Sequence, residues 1–378
     1  MAKKYLIINI GSTSKKYSLF ADTTLVAHFV FKQQKDTYAV HTNSGVATVT
    51  PEQYQQSIEY SKKIYDLNPT VIALRIVAPG TYFTQTRLID KKYVQRLIEN
   101  ISKASLHIGP IIQEIGELIK HFPQIPIYGI SDSAFHQTMP QHARLYGLPL
   151  ALAQELDIYR FGYHGIALQS ITRTLSKQDN LPQNIIVCHL GGGSSVTALK
   201  NGVSIDTSMG FSPLEGVLMA TRSGSLDPAA VLYLAQQLAL TPEQLELFLN
   251  THCGTKALTG TSDSKWVVEQ AQAGQAEALL ALDIYCSTIT KYIGAYMSIL
   301  GPLHMLVFSG GIGENSPYIR EKITRPLQHF GIHLDTKKNA TFETEKYIHA
   351  IHSKTTILVK TSDEAQEMIE TLIHTNNK

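Results

Sequence analysis

The chain has 378 residues, with 33 Lys or Arg, 31 Asp or Glu and a formal net charge of +2. Apolar residues make up 43% of it, which is enough for sizeable buried cores in about two domains of roughly 150 residues each. This composition excludes disordered, low-complexity and disulfide-scaffold proteins. The near-zero charge argues against a nucleic-acid binder, which needs a basic excess.

The cysteines and the N-terminal segment indicate the compartment. Cys188, Cys253 and Cys286 are far apart and form neither a C-x-x-C pair nor a zinc-ligand spacing, so we expect free thiols in a reducing environment. The apolar run Tyr5–Ile10 is too short for a signal peptide, and no stretch approaches the ~18 apolar residues of a membrane span. We therefore expect a cytoplasmic protein.

Two segments about half a chain apart share one pattern: an apolar strand, a Gly/Ser turn and a second strand. The first runs from Tyr5 to Phe20 with the turn Gly11-Ser12-Thr13-Ser14. The second runs from Asn184 to Leu199 with the turn Gly191-Gly192-Gly193-Ser194-Ser195. Asn201-Gly202 after the second copy predicts a two-residue hairpin turn. This repetition predicts a duplicated α/β protein.

Helices and strands alternate between the two copies. Gln55–Asp66 and Lys91–Ile101 predict amphipathic helices, whereas Val71–Leu74 and Ile125–Ile130 predict buried strands. The stretch from Pro140 to Pro149 is the expected boundary between domains of residues 1–148 and 149–363. We expect a C-terminal helix of about 364–378 to pack back on the first domain.

The second half is predicted to be rich in helices and then to return to a strand. From Asp227-Pro228 to about Leu300 the pattern is mainly helical. Met305–Ser309 then predicts a strand that leads into Gly310-Gly311-Ile312-Gly313, and Ser316-Pro317 predicts the start of a helix. This order of elements is typical of α/β layers.

The Gly/Ser turns suit phosphate binding, because small residues let backbone N–H groups approach anionic oxygens. A single turn of this kind is usually only a hairpin turn, but two matched copies and a third glycine-rich segment favour phosphate. The chain contains neither a P-loop, G-x-x-x-x-G-K-S/T, nor a complete G-x-G-x-x-G after a strand. P-loop and dinucleotide-binding enzymes are therefore disfavoured.

A few polar residues stand out beside these turns. Arg75 and Arg222 could grip a carboxylate or phosphate through two parallel hydrogen bonds, although most arginines are simply solvated. Asp132 at a strand end could face a ligand or could cap a helix. His164 and His189 show no metal-ligand spacing.

Together these segments resemble the acetate kinase family, the short-chain acyl kinases of the actin/sugar-kinase/heat-shock ATPase superfold, from Leu6 to about Ile369. The most specific block is Asp206–Gly216, continuing to Asp227-Pro228, and Phe135–Pro140 and Gly310–Asn315 are nearly as telling. The resemblance implies two duplicated actin-like (ribonuclease H-like) α/β domains around a central cleft. It also implies a homodimer.

The resemblance further implies an ATP-dependent, reversible phosphorylation of acetate to acetyl phosphate with Mg²⁺ or Mn²⁺. Catalytic roles fall to Arg75, Asp132, His164 and Arg222. Phosphate and nucleotide binding falls to Asn9, Ser12, Ser14, Lys16, His189, Gly191, Gly192, Gly193, Asp263, Ser264, Lys265, Gly310, Gly311, Ile312, Gly313 and Asn315. The acyl pocket is implied at Arg75, Val77, Leu106, Tyr163 and Pro213, and the metal at Asn9 and Glu364.

The chemistry of that reaction agrees with these residue types. A carboxylate with a pKa near ~4 is ionised at neutral pH and needs no general base. It needs neutralisation of two anionic reactants and in-line positioning, which two arginines, a histidine and Mg²⁺ would provide. We therefore expect Arg75 and Arg222, from opposite halves, to share one gap.

Some positions depart from the family pattern: Leu74, Ala78, Pro79, Ile166, Leu168, Gly192 and Lys265. They leave the preferred acid and nucleotide open. A propionate or other short-chain acyl kinase stays an alternative, because a pocket distinguishes one methylene by only ~1–3 kcal/mol. A nucleotide-binding paralogue with weakened catalysis is a further alternative.

Overall fold

The computed structural model describes residues 2–11, 14–34, 37–179, 181–341 and 345–376. Its contacts divide the chain into two compact units: a first unit of Met1–Ala134 with Asp363–Lys378, and a second unit of Phe135–Ser362. The division falls between Ala134 and Phe135, whereas the sequence predicted domains of 1–148 and 149–363.

The strands are β1 Lys4–Ile10, β2 Ser14–Ala21, β3 Thr24–Gln34, β4 Thr37–Thr42, β5 Gly45–Thr48, β6 Val71–Ile76, β7 Arg87–Leu88, β8 Ile127–Ser131, β9 Asn184–Leu190, β10 Ser194–Lys200, β11 Val203–Thr207, β12 Met305–Ser309, β13 Glu345–Tyr347 and β14 Thr356–Lys360. The α-helices are α1 Pro51–Gln55, α2 Ser57–Ile64, α3 Lys91–Glu99, α4 Ser105–His121, α5 Gln141–Arg144, α6 Leu150–Glu155, α7 Gly165–Lys177, α8 Pro228–Gln237, α9 Pro242–Thr251, α10 Gly254–Thr259, α11 Ser264–Gln272, α12 Ala276–Leu300, α13 Gly310–Asn315, α14 Pro317–Thr324, α15 Thr336–Ala340 and α16 Glu364–Asn376. Short 3₁₀ helices cover Thr81–Thr84, Ile101–Lys103, Ala134–Thr138 and Arg325–Phe330.

The first unit is built on a sheet of order β5-β4-β3-β2-β1-β6-β8-β7. β1 pairs antiparallel with β2 and parallel with β6, and β6 pairs parallel with β8. α4 contributes Ile108, Ile111 and Leu118 to the core under this sheet. α16 returns from the far end of the chain and packs against β1, β6 and β8.

The second unit is built on a sheet of order β11-β10-β9-β12-β14-β13, with β9, β12 and β14 parallel. Alternate residues of its central strands enter two different cores, since successive side chains of a strand point to opposite faces. Ile186, Cys188 and Leu306 join the core that contains α12. Ile185 and Val307 join the core that contains α7. Because helices cover both faces, these strands are continuous apolar runs.

Both sheets contain the same five-strand arrangement. β3-β2-β1-β6-β8 in the first unit corresponds to β11-β10-β9-β12-β14 in the second: three antiparallel strands that open the unit, then two parallel crossovers. The prediction of two duplicated α/β halves of the actin-like kind is therefore confirmed.

Local sequence explains where several elements begin and end. Asn201 and Gly202 have φ values of 53° and 77°, which gives the predicted tight turn between β10 and β11. Ser316 accepts a hydrogen bond from the N–H of Ile319, as expected of the cap of α14. The helix predicted over Gln55–Asp66 is divided at Gln56. Before it lies a separate short helix, α1, which begins at a Thr50 capping box, and after it lies α2.

Among the described residues, no helix has both the length and the hydropathy needed to cross a membrane.

Candidate active site

Three predicted site residues of the first unit lie at the carboxyl ends of neighbouring parallel strands. Asn9 is near the end of β1, Arg75 near the end of β6, and Asp132 directly follows β8. The carboxyl edge of parallel strands is where open α/β sheets hold their ligands. Glu364 begins α16, which packs on the same three strands. The topology thus brings together side chains that are far apart in sequence.

Arg75 is the centre of this cluster. Its Nε and Nη2 donate to the two carboxylate oxygens of Asp132 at 3.1 and 2.8 Å, so the pair is bidentate. The Asp132 side chain is fully buried. Burial alone would lower the pKa of Arg75, but the Asp132 and Glu364 carboxylates outweigh it and hold that pKa above its ordinary value. Asp132 therefore orients a permanently charged guanidinium.

Asn9 connects Arg75 to the second carboxylate. It accepts from Nη1 of Arg75 at 3.1 Å and donates from Nδ2 to Glu364 at 2.6 Å. Glu364 lies 4.0 Å from Nη1 of Arg75 and is 20% exposed, so it can reach a ligand. One guanidinium faces two carboxylates here, and the excess negative charge favours a further cation.

These oxygen donors fit a hard cation held mainly by its substrate. Mg²⁺ is usually bound through one or two carboxylates together with substrate phosphates. Among the described residues no group of three or more His, Cys, Asp and Glu is arranged to hold a metal by itself. Glu364, with the adjacent Asn9, matches the sparse donor set that suits Mg²⁺ carried by a nucleotide.

The first Gly/Ser turn lies between β1 and β2. Gly11 donates its N–H to the Ser14 carbonyl at 2.8 Å, which closes the turn. Lys16 is exposed and is the strand partner of Asn9. Ser12 lies outside the described residues.

The second unit groups His164, Gly193 and Arg222. A Cβ built on Gly193 would lie 3.2 Å from Nη1 of Arg222 and 3.3 Å from Nε2 of His164, so glycine lets both side chains approach the turn. His164 donates or accepts at Nδ1 with Ser195 Oγ, 3.0 Å away. It adopts the left-handed conformation, φ 61°, before α7, a strained backbone of the kind that clusters at functional sites. Arg222 also donates to the Pro213 carbonyl at 3.5 Å.

His189 and the rest of the second glycine turn lie in the same neighbourhood. The His189 ring is 4.8 Å from the His164 ring, centroid to centroid. Gly191 donates its N–H to the Gly193 carbonyl at 2.9 Å. Gly192 accepts from Ala220 at 3.3 Å, so this turn is fixed by backbone bonds and its other peptide groups can serve a ligand.

A pocket of about 490 Å³ lies next to the glycine-rich α13. Its lining brings together the predicted residues Ser264, Lys265, Gly311, Ile312 and Asn315. This volume is within the roughly 300–1,000 Å³ of small-molecule sites. Residues of α11 and α13 thus line one pocket, as the resemblance implied. Neither stretch of sequence indicates by itself that the other lies beside it.

Two predicted nucleotide residues have a structural use beside this pocket. The Asp263 carboxylate caps α11 by accepting from the N–H groups of Lys265 and Trp266. Gly310 has φ 76°, and a Cβ there would lie 2.6 Å from the Leu190 carbonyl, so the chain needs glycine where it leaves β12. Gly313 lies within α13.

The five predicted acyl-pocket residues are divided between the units. Arg75, Val77 and Leu106 belong to the first unit, and Tyr163 and Pro213 to the second. Tyr163 is buried, and its hydroxyl donates to the Phe211 carbonyl at 2.7 Å. The Tyr163 hydroxyl thus helps to hold the Asp206–Gly216 segment.

Sequence reasoning missed Arg320 and Asn339, which lie behind α13. The signal was present: Ile319 and Ile323 mark the buried face of α14, and Arg320 is a charged residue next to that face. It also missed the side chains that brace the Asp206–Gly216 segment, where Tyr146 and Arg160 both donate to Glu215.

The chain is similar to proteins of known family along nearly its whole length. The family model of the acetokinase family matches residues 4–370. The acetate kinase of Carboxydothermus hydrogenoformans is 35% identical, with 98% of this chain and 100% of the relative aligned. A propionate kinase structure from Francisella tularensis superposes with a TM-score of 0.90 at 30% identity, covering 98% of both chains. The Porphyromonas gingivalis acetate kinase structure gives a TM-score of 0.84 at 29% identity, covering all of both chains.

These matches to kinases, together with the duplicated α/β fold, give the class of the protein: it is a phosphotransferase. The chain belongs to the acetokinase family, the acetate kinases.

Proposed function

We propose that this protein is an acetate kinase that transfers the γ-phosphoryl group of ATP directly to acetate, reversibly, to give acetyl phosphate and ADP. Family membership along nearly the whole chain supports the reaction class. The observation that carries the proposal is the bidentate Arg75–Asp132 pair, joined through Asn9 to Glu364 at one sheet edge. Each member of that cluster has a part in phosphoryl transfer between two anions.

Charge neutralisation is the role proposed for the first unit. Arg75, oriented by Asp132, binds the acetate carboxylate, which is already ionised and needs no base. Glu364 and Asn9 hold Mg²⁺, which neutralises phosphate charge when bound. Ser12, Ser14 and Lys16 receive phosphate oxygens at the adjacent turn.

Stabilisation of the transferring group is the role proposed for the second unit. Arg222 and His164 approach the same glycine turn and would donate to the equatorial oxygens of the phosphoryl group. His189 and the Gly191–Gly193 turn bind the remaining phosphates. The pocket between α11 and α13 receives the nucleoside. For the methyl group of acetate, the resemblance implies Val77 and Leu106 of the first unit and Tyr163 and Pro213 of the second, and this assignment stays a prediction.

Trapping the product tests the proposal. Purified protein, ATP, Mg²⁺ and hydroxylamine are incubated with each acid from formate to butyrate, and the acyl hydroxamate is measured. We expect the largest kcat/KM with acetate. We expect no hydroxamate when Mg²⁺ is left out. A folded sample that binds ATP but yields no hydroxamate with any acid contradicts the proposal and favours the nucleotide-binding paralogue.

Propionate is the second candidate acceptor. The propionate kinase structure of Francisella tularensis superposes with a TM-score of 0.90 over nearly the whole chain. One added methylene changes binding by only about 1–3 kcal/mol, so a small difference in the pocket suffices. A maximum of kcat/KM with propionate in the same assay would favour this acceptor.

We also propose that the protein is a homodimer that associates through α8. None of the ten residues of α8, all within the described part of the chain, is buried. Leu232 is 72% exposed and Tyr233 64% exposed, and the helix carries no charged residue. A helix of this composition is poorly suited to water and well suited to a second copy.

A further inference from the structure

A buried arginine that has no acidic partner among the described residues lies behind the pocket of the second unit. Arg320, on α14, is 2% exposed. Its Nε donates to Oδ1 of Asn339 at 2.7 Å, its Nη1 to the carbonyls of Gly313 and Glu314 at 2.8 Å, and its Nη2 to the Asn339 carbonyl at 2.9 Å. All of these acceptors are uncharged. Burial lowers the pKa of Arg320 to about 10, which still leaves it cationic at neutral pH.

Stability alone does not explain such a cation. Removing a guanidinium from water without a carboxylate partner is unfavourable, and a packed apolar side chain would avoid that penalty. The guanidinium differs from an apolar side chain in offering several donors in a fixed plane. Here those donors reach two neighbouring carbonyls of α13 and both polar groups of Asn339.

The groups that Arg320 binds belong to one wall of the pocket. Gly313 and Glu314 are in the last turn of α13, where carbonyl groups lack partners within the helix. A cation at a helix C-terminus is also favoured by the helix dipole. Asn339 adds a bond from Nδ2 to the Pro317 carbonyl at 2.9 Å. Together the two side chains hold the segment from Gly313 to Pro317.

That segment and the residues before it line the pocket of about 490 Å³: Gly311, Ile312, Asn315, Ser316 and Pro317. Arg320 and Asn339 lie behind this wall and do not belong to the pocket lining. A change in either side chain would therefore act on a ligand through the position of the wall, and not by removing a contact to the ligand.

We propose that Arg320 and Asn339 are positioning residues that set the distance of the Gly311–Pro317 wall from α11 and thereby the affinity for the nucleoside part of ATP and ADP. The identity of the ligand rests on the proposed function. Arg320 and Asn339, with their hydrogen bonds to this wall, form a clamp. Loss of the clamp weakens nucleotide binding and leaves the acetate site unchanged.

Two substitutions test the clamp from its two sides. Arg320→Lys keeps the charge but replaces the planar donor set by a single ammonium group. Asn339→Asp keeps an acceptor for Nε of Arg320 but deletes the donation to the Pro317 carbonyl. Arg325→Lys, at an exposed arginine on the segment after α14, is the matched control.

The measurements are the Kd for ADP by calorimetry, the KM for ATP and for acetate, kcat, and the thermal midpoint without nucleotide. We expect both clamp variants to raise the Kd for ADP and the KM for ATP by at least about tenfold, or about 1.4 kcal/mol. We expect the KM for acetate to stay within about twofold, because the two side chains act only on the pocket wall. Loss of folded protein would lower the rate and leave both KM values unchanged, so a rise in the KM for ATP alone separates the two effects. Arg325→Lys should match the wild type in all of them.

An unchanged Kd for ADP in either folded variant overturns the proposal. The proposal is also overturned if activity falls in proportion to the folded fraction while the KM for ATP stays constant. That result would assign the two residues a purely structural role. If Arg320→Lys does not fold, Asn339→Asp, which retains the arginine, carries the test. A wild type that binds ADP but makes no acyl phosphate contradicts the proposed function and leaves the Kd comparison valid. A wild type that does not bind ADP contradicts both.

Discussion

Arg75 holds the first-unit site together through contacts that span the sequence. It reaches Asp132, 57 positions away, and Asn9, 66 positions away, and Asn9 in turn binds Glu364, 355 positions away. Strand ends and residue type were enough to single out Arg75 and Asp132. No local pattern could pair Asn9 with Glu364, since that contact depends on the path of the chain back to the first sheet.

Asp132→Asn should reduce both stability and turnover. Removing one partner of a buried ion pair costs about 3–5 kcal/mol, and we expect the lower end because Arg75 is partly exposed and keeps Glu364 at 4.0 Å. Urea unfolding measures the stability and the hydroxamate assay the turnover. Asp66→Asn, at an exposed aspartate of the same unit, is the control. A free energy of unfolding within about 1 kcal/mol of wild type would show that the buried pair contributes little.

Arg222→Ala should abolish turnover and leave the fold intact. The side chain is partly exposed and its bond to the Pro213 carbonyl is long, 3.5 Å, so little packing is lost. An arginine that stabilises the transferring phosphoryl group is worth about 10³–10⁵ in rate. We expect kcat to fall by that factor, with a thermal midpoint within about 3 °C of wild type. Arg325→Ala is the control, and a kcat reduced by less than about tenfold would remove Arg222 from the mechanism.

At the scale of elements, backbone requirements explain most of what could be predicted. Met305–Ser309 and the Asn201-Gly202 turn appear as expected, because a buried strand and a tight turn each depend on a few adjacent residues. The packing of α13 against Arg320 and Asn339 was not predictable. It depends on Arg320 and Asn339, which are 19 positions apart and lie on two different helices, α14 and α15.

Gly310→Ala should disrupt the junction between β12 and α13. Alanine at φ 76° costs about 1–2 kcal/mol, and its Cβ would lie 2.6 Å from the Leu190 carbonyl, which cannot move without disturbing β9. We expect a loss of at least about 2 kcal/mol in urea unfolding without nucleotide. Gly311→Ala is the matched stability control, since its Cβ would meet nothing within 4 Å. Equal stability of the two variants would show that β12 tolerates the clash.

At the scale of the whole molecule, the sequence contains the duplication but not the limits of its halves. The two strand-turn-strand copies predicted the corresponding hairpins of both sheets, because each pattern is local. The contacts divide the chain at Ala134 and Phe135 and return Asp363–Lys378 to the first unit. That division depends on which helices cover which sheet, and local composition carries little information about it.

Leu232→Asp should convert the proposed dimer into a monomer. The side chain is 72% exposed on a helix with no buried residue, so the folded monomer loses little packing, whereas a dimer would have to bury two carboxylates at its centre. Light scattering after gel filtration measures the mass, which we expect to fall from about twice 41.8 kDa to 41.8 kDa. Ile351→Asp, at a fully exposed apolar residue of the same unit, is the matched control and should keep the wild-type mass. A wild type that elutes as a monomer, or a Leu232→Asp protein that stays dimeric, would refute association through α8.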